Sequence, residues 1–192
     1  MNHKDRINGA EFSKDGSCIL TWSTDRTARV WDAATGDPLV PTMHHENDIN
    51  GAEFSKDELH ILTWSTDGTA RVWHAATGRP LTLPMNHEGV VRGAKFSEDE
   101  SRILTWSTDG TARVWNAATG KPLTTPMKHE NWVLGAKFSQ DASRILTWSK
   151  DGTARVWSGA SGKPLTPPHA TPRPGHGRKI QPGRVAYPHL ER

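Results

Sequence analysis

Apolar and polar residues alternate in short bursts along this chain, and each burst is closed by a polar turn rich in glycine, aspartate or proline. From Ile49 to Ser55 the alternation predicts a strand, Lys56 to Glu58 a turn, and His60 to Ser65 a second strand. Thr66-Asp67-Gly68 has the composition of a tight hairpin turn, its glycine free to take a positive φ, and Thr69 to Trp73 carries the β-formers onward. A loop at Ala75 to Gly78 then leads to a short proline-bounded strand over Arg79 to Thr82.

The same pattern is written four times. Ile-Leu-Thr-Trp-Ser begins at Ile19, Ile61, Ile103 and Ile145, and Thr-Ala-Arg-Val-Trp follows at Thr27, Thr69, Thr111 and Thr153, a period of 42 residues. The units run over 1–42, 43–84, 85–126 and 127–168, which leaves 169–192 as a tail. Four short antiparallel strands at this period make one propeller blade, so the chain is expected to be all-β with four blades encoded.

On these residues the chain resembles the WD-repeat β-propeller family over all four units. The resemblance implies a hydrogen-bonded relay in each blade: a histidine before the first strand, a Ser or Thr in the second, an Asp in the following turn and a Trp in the third. The matching residues are His3, Thr21, Asp25 and Trp31; His45, Thr63, Asp67 and Trp73; His87, Thr105, Asp109 and Trp115; and His129, Thr147, Asp151 and Trp157. Ser23 and its equivalents share a strand face with Thr21, so the hydroxyl member is open between the two. A buried indole must place its N–H and a turn carboxylate gains from donors, which is the physical need for such a network. The Trp-Asp pair that names the family stands only at Trp31-Asp32, and Arg26 replaces the turn glycine found at Gly68, Gly110 and Gly152. A left-handed backbone at Arg26 would cost about 1 kcal/mol and make the first blade the weakest.

A recurring hydroxyl, histidine and aspartate also invites a catalytic-triad reading. Four copies, each tied to a tryptophan donor, fit a structural relay instead, and neither a phosphate-cradling glycine loop nor a nucleophile elbow is present. The histidines recur once per unit without a cysteine or close histidine partner at ligand spacing, His44-His45 being the one adjacent pair. The expectation is a chain with no catalytic residues, no metal and no cofactor.

Function is then sought where the units differ. Unit position six reads Arg6, Asp48, Val90 and Trp132, and position eight reads Asn8, Asn50, Arg92 and Leu134. Strand alternation puts these two positions on one side, with Ile7, Ile49, Val91 and Val133 facing the blade packing. The turn between strands two and three, which emerges on the same face, varies at Arg26 and Lys150. These residues are predicted to form a ring that binds a protein or peptide partner, with Trp132 as anchor. Trp22, Trp64, Trp106 and Trp148 are assigned to packing between blades.

Charge modifies this picture little. The net charge of +3 would favour nucleic acid, but Arg173, Arg178, Lys179, Arg184 and Arg192 face only Glu191 in the tail, leaving 19 Lys and Arg against 20 Asp and Glu in the repeats. A nucleic-acid-binding protein using that tail is the alternative reading, and nucleic acid is disfavoured. Gly177 to Arg192 can be encoded so that the next frame reads GAKFSQDGSRILTWS, which is Gly135 to Ser149 with one change at Ala142. The tail is therefore read as a frame-shifted fifth repeat, and the chain as a fragment of a larger WD-repeat scaffold with a sensor or assembly role. A ring closed by self-association, as an eight-blade homodimer, would cover the two end blades. With one cysteine, Cys18, and neither a long apolar run nor a signal segment, the expected setting is cytoplasmic and off the membrane.

Overall fold

A computed structural model describes residues 1–165 and the backbone of residues 169 and 170. Blade 1 holds β1 (Ile7–Phe12), β2 (Cys18–Ser23), β3 (Thr27–Asp32) and β4 (Met43–His44), and blade 2 holds β5 (Ile49–Phe54), β6 (His60–Ser65), β7 (Thr69–His74) and β8 (Met85–Asn86). Blade 3 holds β9 (Val91–Phe96), β10 (Arg102–Ser107), β11 (Thr111–Asn116) and β12 (Met127–Lys128). Blade 4 holds β13 (Val133–Phe138), β14 (Arg144–Ser149), β15 (Thr153–Ser158) and β16 (His169–Ala170). Each is an antiparallel meander in chain order, and no helix occurs among the described residues. The reading of the tail as a shifted repeat falls outside the described residues, apart from this backbone pair.

The first three strands of each blade stand where the alternation places them. The fourth does not. Arg79 to Thr82 contributes a bridge from Pro80 to Trp73, flanked by bonds from His74 N–H to the Arg79 carbonyl and from Leu81 N–H to the Val72 carbonyl, both at 2.9 Å. A proline at the middle of the segment has no N–H to continue a ladder. Strand four is instead Met85–Asn86, in register with Ala70 and Thr69. The first two residues of each repeat unit therefore complete the sheet of the unit before it.

Packing is between blades rather than within them. Leu20, Ala28, Val30 and Met43 of blade 1 meet Ile49, Ala52, Ile61 and Trp73 of blade 2, and the equivalent residues meet at the two later junctions. The recurring second-strand tryptophans join the same clusters: Trp22, Trp64 and Trp106 each pack at one junction. Each also lies flat over the glycine opposite it, since a Cβ built on Gly51 would stand 2.1 Å from the Trp64 ring. That close approach is why unit position nine is glycine.

Three junctions for four blades leave two faces without a neighbour. Ile49, Val91 and Val133 are all 0% exposed, whereas Ile7 is 47% exposed and Phe12 64%. At the other end Trp148 is 41% exposed. Adjacent blades pack through β2 and β5, β6 and β9, and β10 and β13, with no comparable contact from β14 back to β1. The array is open among the described residues.

Candidate recognition rim

Each blade contains the same buried chain of hydrogen bonds, and its direction follows from the donors. Trp73 Nε1–H, which can only donate, gives to Thr63 Oγ1 at 2.8 Å. The Thr63 hydroxyl then donates to His45 Nε2 at 2.8 Å, leaving the ring proton on Nδ1 to donate to Asp67 Oδ2 at 2.9 Å. The His3, His87 and His129 chains have the same geometry, with every contact from the Trp nitrogen to the Asp carboxylate between 2.7 and 3.0 Å. The hydroxyl member is thus the threonine. Ser65 does something different: its Oγ donates to the Asp48 carbonyl at 2.9 Å and accepts from Asp67 N–H at 3.0 Å.

This network fixes the loop that carries the variable residues. Asp67 Oδ2 also accepts the Glu46 N–H at 3.0 Å, and Asp25, Asp109 and Asp151 accept those of Lys4, Glu88 and Glu130. Burial works to raise each of the four carboxyls, but the donors from histidine, threonine and backbone outweigh it and hold all four well below the usual carboxylate range. Desolvation lowers the His3, His87 and His129 pKa values, partly opposed by the adjacent aspartate, so these rings are neutral at pH 7.

Position six lies directly beside the turn between strands two and three. The carbonyls of Arg6, Asp48, Val90 and Trp132 accept from Thr24, Thr66, Thr108 and Lys150 N–H at 2.9 to 3.0 Å. Arg26 sits at φ 69°, as its place in the turn requires, and is exposed. Position eight departs from simple alternation. Ile7 pairs with Ser23 and Gly9 with Trp22, so Asn8 is the extra residue of a bulge, repeated at Asn50, Arg92 and Leu134. Asn8 Nδ2 donates to the Ile49 carbonyl at 2.9 Å and Asn50 Nδ2 to the Val91 carbonyl at 3.0 Å, so both amides stitch neighbouring blades together. Arg6 donates from Nε and Nη2 to Asn8 Oδ1 at 3.2 and 3.1 Å. Asp48 and Val90 are half-buried, while Arg92 is exposed. Blade 4 is the apolar sector: Trp132 is 42% and Leu134 45% exposed, and Lys150 Nζ stands 4.5 Å from the Trp132 ring centre.

A profile of the WD domain, G-beta repeat, matches residues 1–32, 37–74, 78–116 and 120–158. The chain belongs to the WD-repeat family. It is similar to the serine-threonine kinase receptor-associated protein of Gallus gallus, 41% identical over 44 residues, which is 23% of this chain and 13% of that protein. Among solved structures it is similar to the computationally designed Ika8 protein, with a TM-score of 0.75 and 27% identity over 88% of this chain and half of that one. The designed Ika4 protein gives a TM-score of 0.71 and 27% identity over 82% of this chain and 93% of that one. The WD chain thus spans half the length of one designed neighbour and a small part of the curated relative it matches.

WD repeats are in general non-enzymatic interaction modules, and the relay geometry is in keeping with that. Thr63, Thr105 and Thr147 are 0% exposed and Thr21 4%, and each hydroxyl both accepts from tryptophan and donates to histidine. A nucleophile needs access to substrate, and these hydroxyls are buried and held between two ring nitrogens. Sequence reasoning missed a second set of cross-blade contacts on the turns between the first two strands. Lys14 N–H donates to Glu58 Oε1 at 2.5 Å, Lys56 N–H donates to Glu100, and Lys56 Nζ pairs with Glu98. The signal is present in the chain, since unit positions 14 and 16 also vary, but which turns meet depends on the angle between blades.

Proposed function

We propose that this chain is a protein-recognition scaffold without catalytic activity, and that its partner is a protein or peptide seated on the rim of Arg6, Asn8, Arg26, Asp48, Asn50, Val90, Arg92, Trp132, Leu134 and Lys150. The observation that carries the reading is the blade 4 sector, where Trp132 and Leu134 remain 42% and 45% exposed although the backbone beneath them is pinned by a buried relay. An exposed indole with a lysine across its face is a ready interface anchor, already ordered before a partner arrives. The similarity to a receptor-associated protein supports an associating role, over one repeat length.

A second copy completes the ring in this reading. Junctions 1–2, 2–3 and 3–4 are built from equivalent residues, so the free face of blade 4 is complementary to the free face of blade 1 by the chain's own precedent. Covering half of the Ika8 chain leaves room there for as many blades again, which supports an eight-blade arrangement. Affinity capture from the source cell with the full chain and with Trp132→Ala and Lys150→Glu tests the rim. Partners lost from both variants, with the melting temperature unchanged, are the expected result; an identical partner set from all three proteins would refute the assignment.

A further inference from the structure

At the hub of the array the first strands of successive blades approach one another, and their inner edges carry backbone groups that no fifth strand pairs. In blades 2 and 3 these groups are satisfied by a side chain from the preceding blade. Glu11 accepts from Phe54 N–H, and Glu53 Oε1 accepts from Phe96 N–H at 3.2 Å. The junction between blades 3 and 4 is different. Lys95 occupies the unit position of Glu11 and Glu53, and Phe138 occupies that of Phe54 and Phe96. A donor therefore faces a donor, and Phe138 N–H has no acceptor among the described residues. Position eight changes in the same sense, with Arg92 where Asn8 and Asn50 bridge to the next blade.

This junction holds a cavity of about 190 Å³ whose lining includes Lys95, Phe96, Glu98, Lys137 and Phe138. The Glu98 carboxylate is paired with Lys56 Nζ and does not neutralise the two lysines. We propose that the cavity is a carboxylate-binding subsite, in which a ligand carboxylate takes the place that Glu11 and Glu53 fill at the other two junctions. It would accept from Phe138 N–H and pair with the Lys95 and Lys137 ammonium groups. Charge-assisted bonds of this kind are the stronger class of hydrogen bond, and a partly enclosed apolar wall such as Phe96 and Phe138 limits competing water. The subsite is formed by β9 and β13 and is independent of the rim.

Glutarate, whose carboxylate and methylene arm reproduce a glutamate side chain, is the probe. Amide resonances of the isotope-labelled full chain are followed during titration, with sodium chloride at matched ionic strength as the reference. The Phe138 amide is expected to shift saturably with glutarate and not with chloride. Lys95→Glu supplies the missing internal carboxylate and is expected to weaken glutarate binding by at least about tenfold while raising the melting temperature. Lys95→Met, which keeps the stem without the charge, gives the same loss of binding, and Lys163→Glu on the outer loop gives none. A blocked peptide with a single glutamate, titrated in parallel, distinguishes a polypeptide source from a free carboxylate by which of the two binds more tightly. A Phe138 amide indifferent to both probes, or unchanged affinity in Lys95→Glu and Lys95→Met, would overturn the proposal.

Discussion

Thr105→Val removes one oxygen from the middle of the blade 3 relay and keeps the shape of the side chain. Thr105 is 0% exposed, accepts from Trp115 Nε1 at 2.8 Å and donates to His87 Nε2 at 2.7 Å. Valine can do neither, so an indole donor and an imidazole acceptor are both left buried without partners. Each orphaned group costs about 1–3 kcal/mol, which sets the expected loss at about 2–6 kcal/mol. For a domain of this size each kcal/mol moves the midpoint by about 2–4 °C, so the melting temperature should fall by at least several degrees. Thr105→Ser separates the hydroxyl from the methyl: it keeps both bonds and loses only packing, about 1 kcal/mol. Urea unfolding of the three proteins, followed by tryptophan fluorescence, reads these differences directly. Valine and serine variants of equal stability would refute the relay as a source of stability, and a valine variant as stable as the parent would refute the order of donors from tryptophan through threonine to histidine.

Arg26→Gly should stabilise the chain by about 1 kcal/mol, because φ 69° at that turn strains any residue with a Cβ; an unchanged or lowered urea midpoint would show the strain is relieved elsewhere. Acid should destabilise in two stages. His3, His87 and His129 have folded pKa values below their ordinary 6.5, so the unfolded chain takes up protons first and stability falls as pH drops below that value. The relay aspartates have folded values far below their ordinary 3.8, so the stability they contribute is complete above it and is lost as pH falls further. A urea midpoint that stays flat between about pH 7.5 and pH 5 would contradict the first stage. Ile7→Asp places a charge on the free face of blade 1, and sedimentation should then show a mass of 21.2 kDa where the parent shows twice that; a parent that is itself monomeric would rule out closure by a second copy.

Much of this fold is legible in the chain because its elements are local. The alternation at His60 to Ser65 and the Asp67-Gly68 turn each specify a strand or a hairpin within a few residues. Strand four lies away from its expected place because what makes it a strand is not local: Met85 and Asn86 have no alternation to display, and only the buried slot beside Ala70 orders them. The relay threonine is ambiguous in the sequence for a similar reason. Thr63 and Ser65 point to the same side of β6, and only distance to the Trp73 nitrogen separates them. The stitching role of Asn8 and Asn50 depends on the bulge, which a uniform alternation does not reveal.

The division between constant and variable positions follows from where each sits relative to the blade junctions. A residue such as Leu62 or Val72 serves a junction that recurs along the array, so the same shape is required in every unit. The relay is also repeated in each blade, and each of its four side chains is bonded to the next. Rim and hub positions answer to neither constraint, because one side of each meets solvent or a backbone edge that several chemistries can satisfy. Glu53 and Lys95 illustrate the latitude: the first closes its edge from within the chain, and the second leaves the same edge open with the charge reversed. An array of near-identical blades can therefore carry a different chemistry at each junction without disturbing the packing that holds it together.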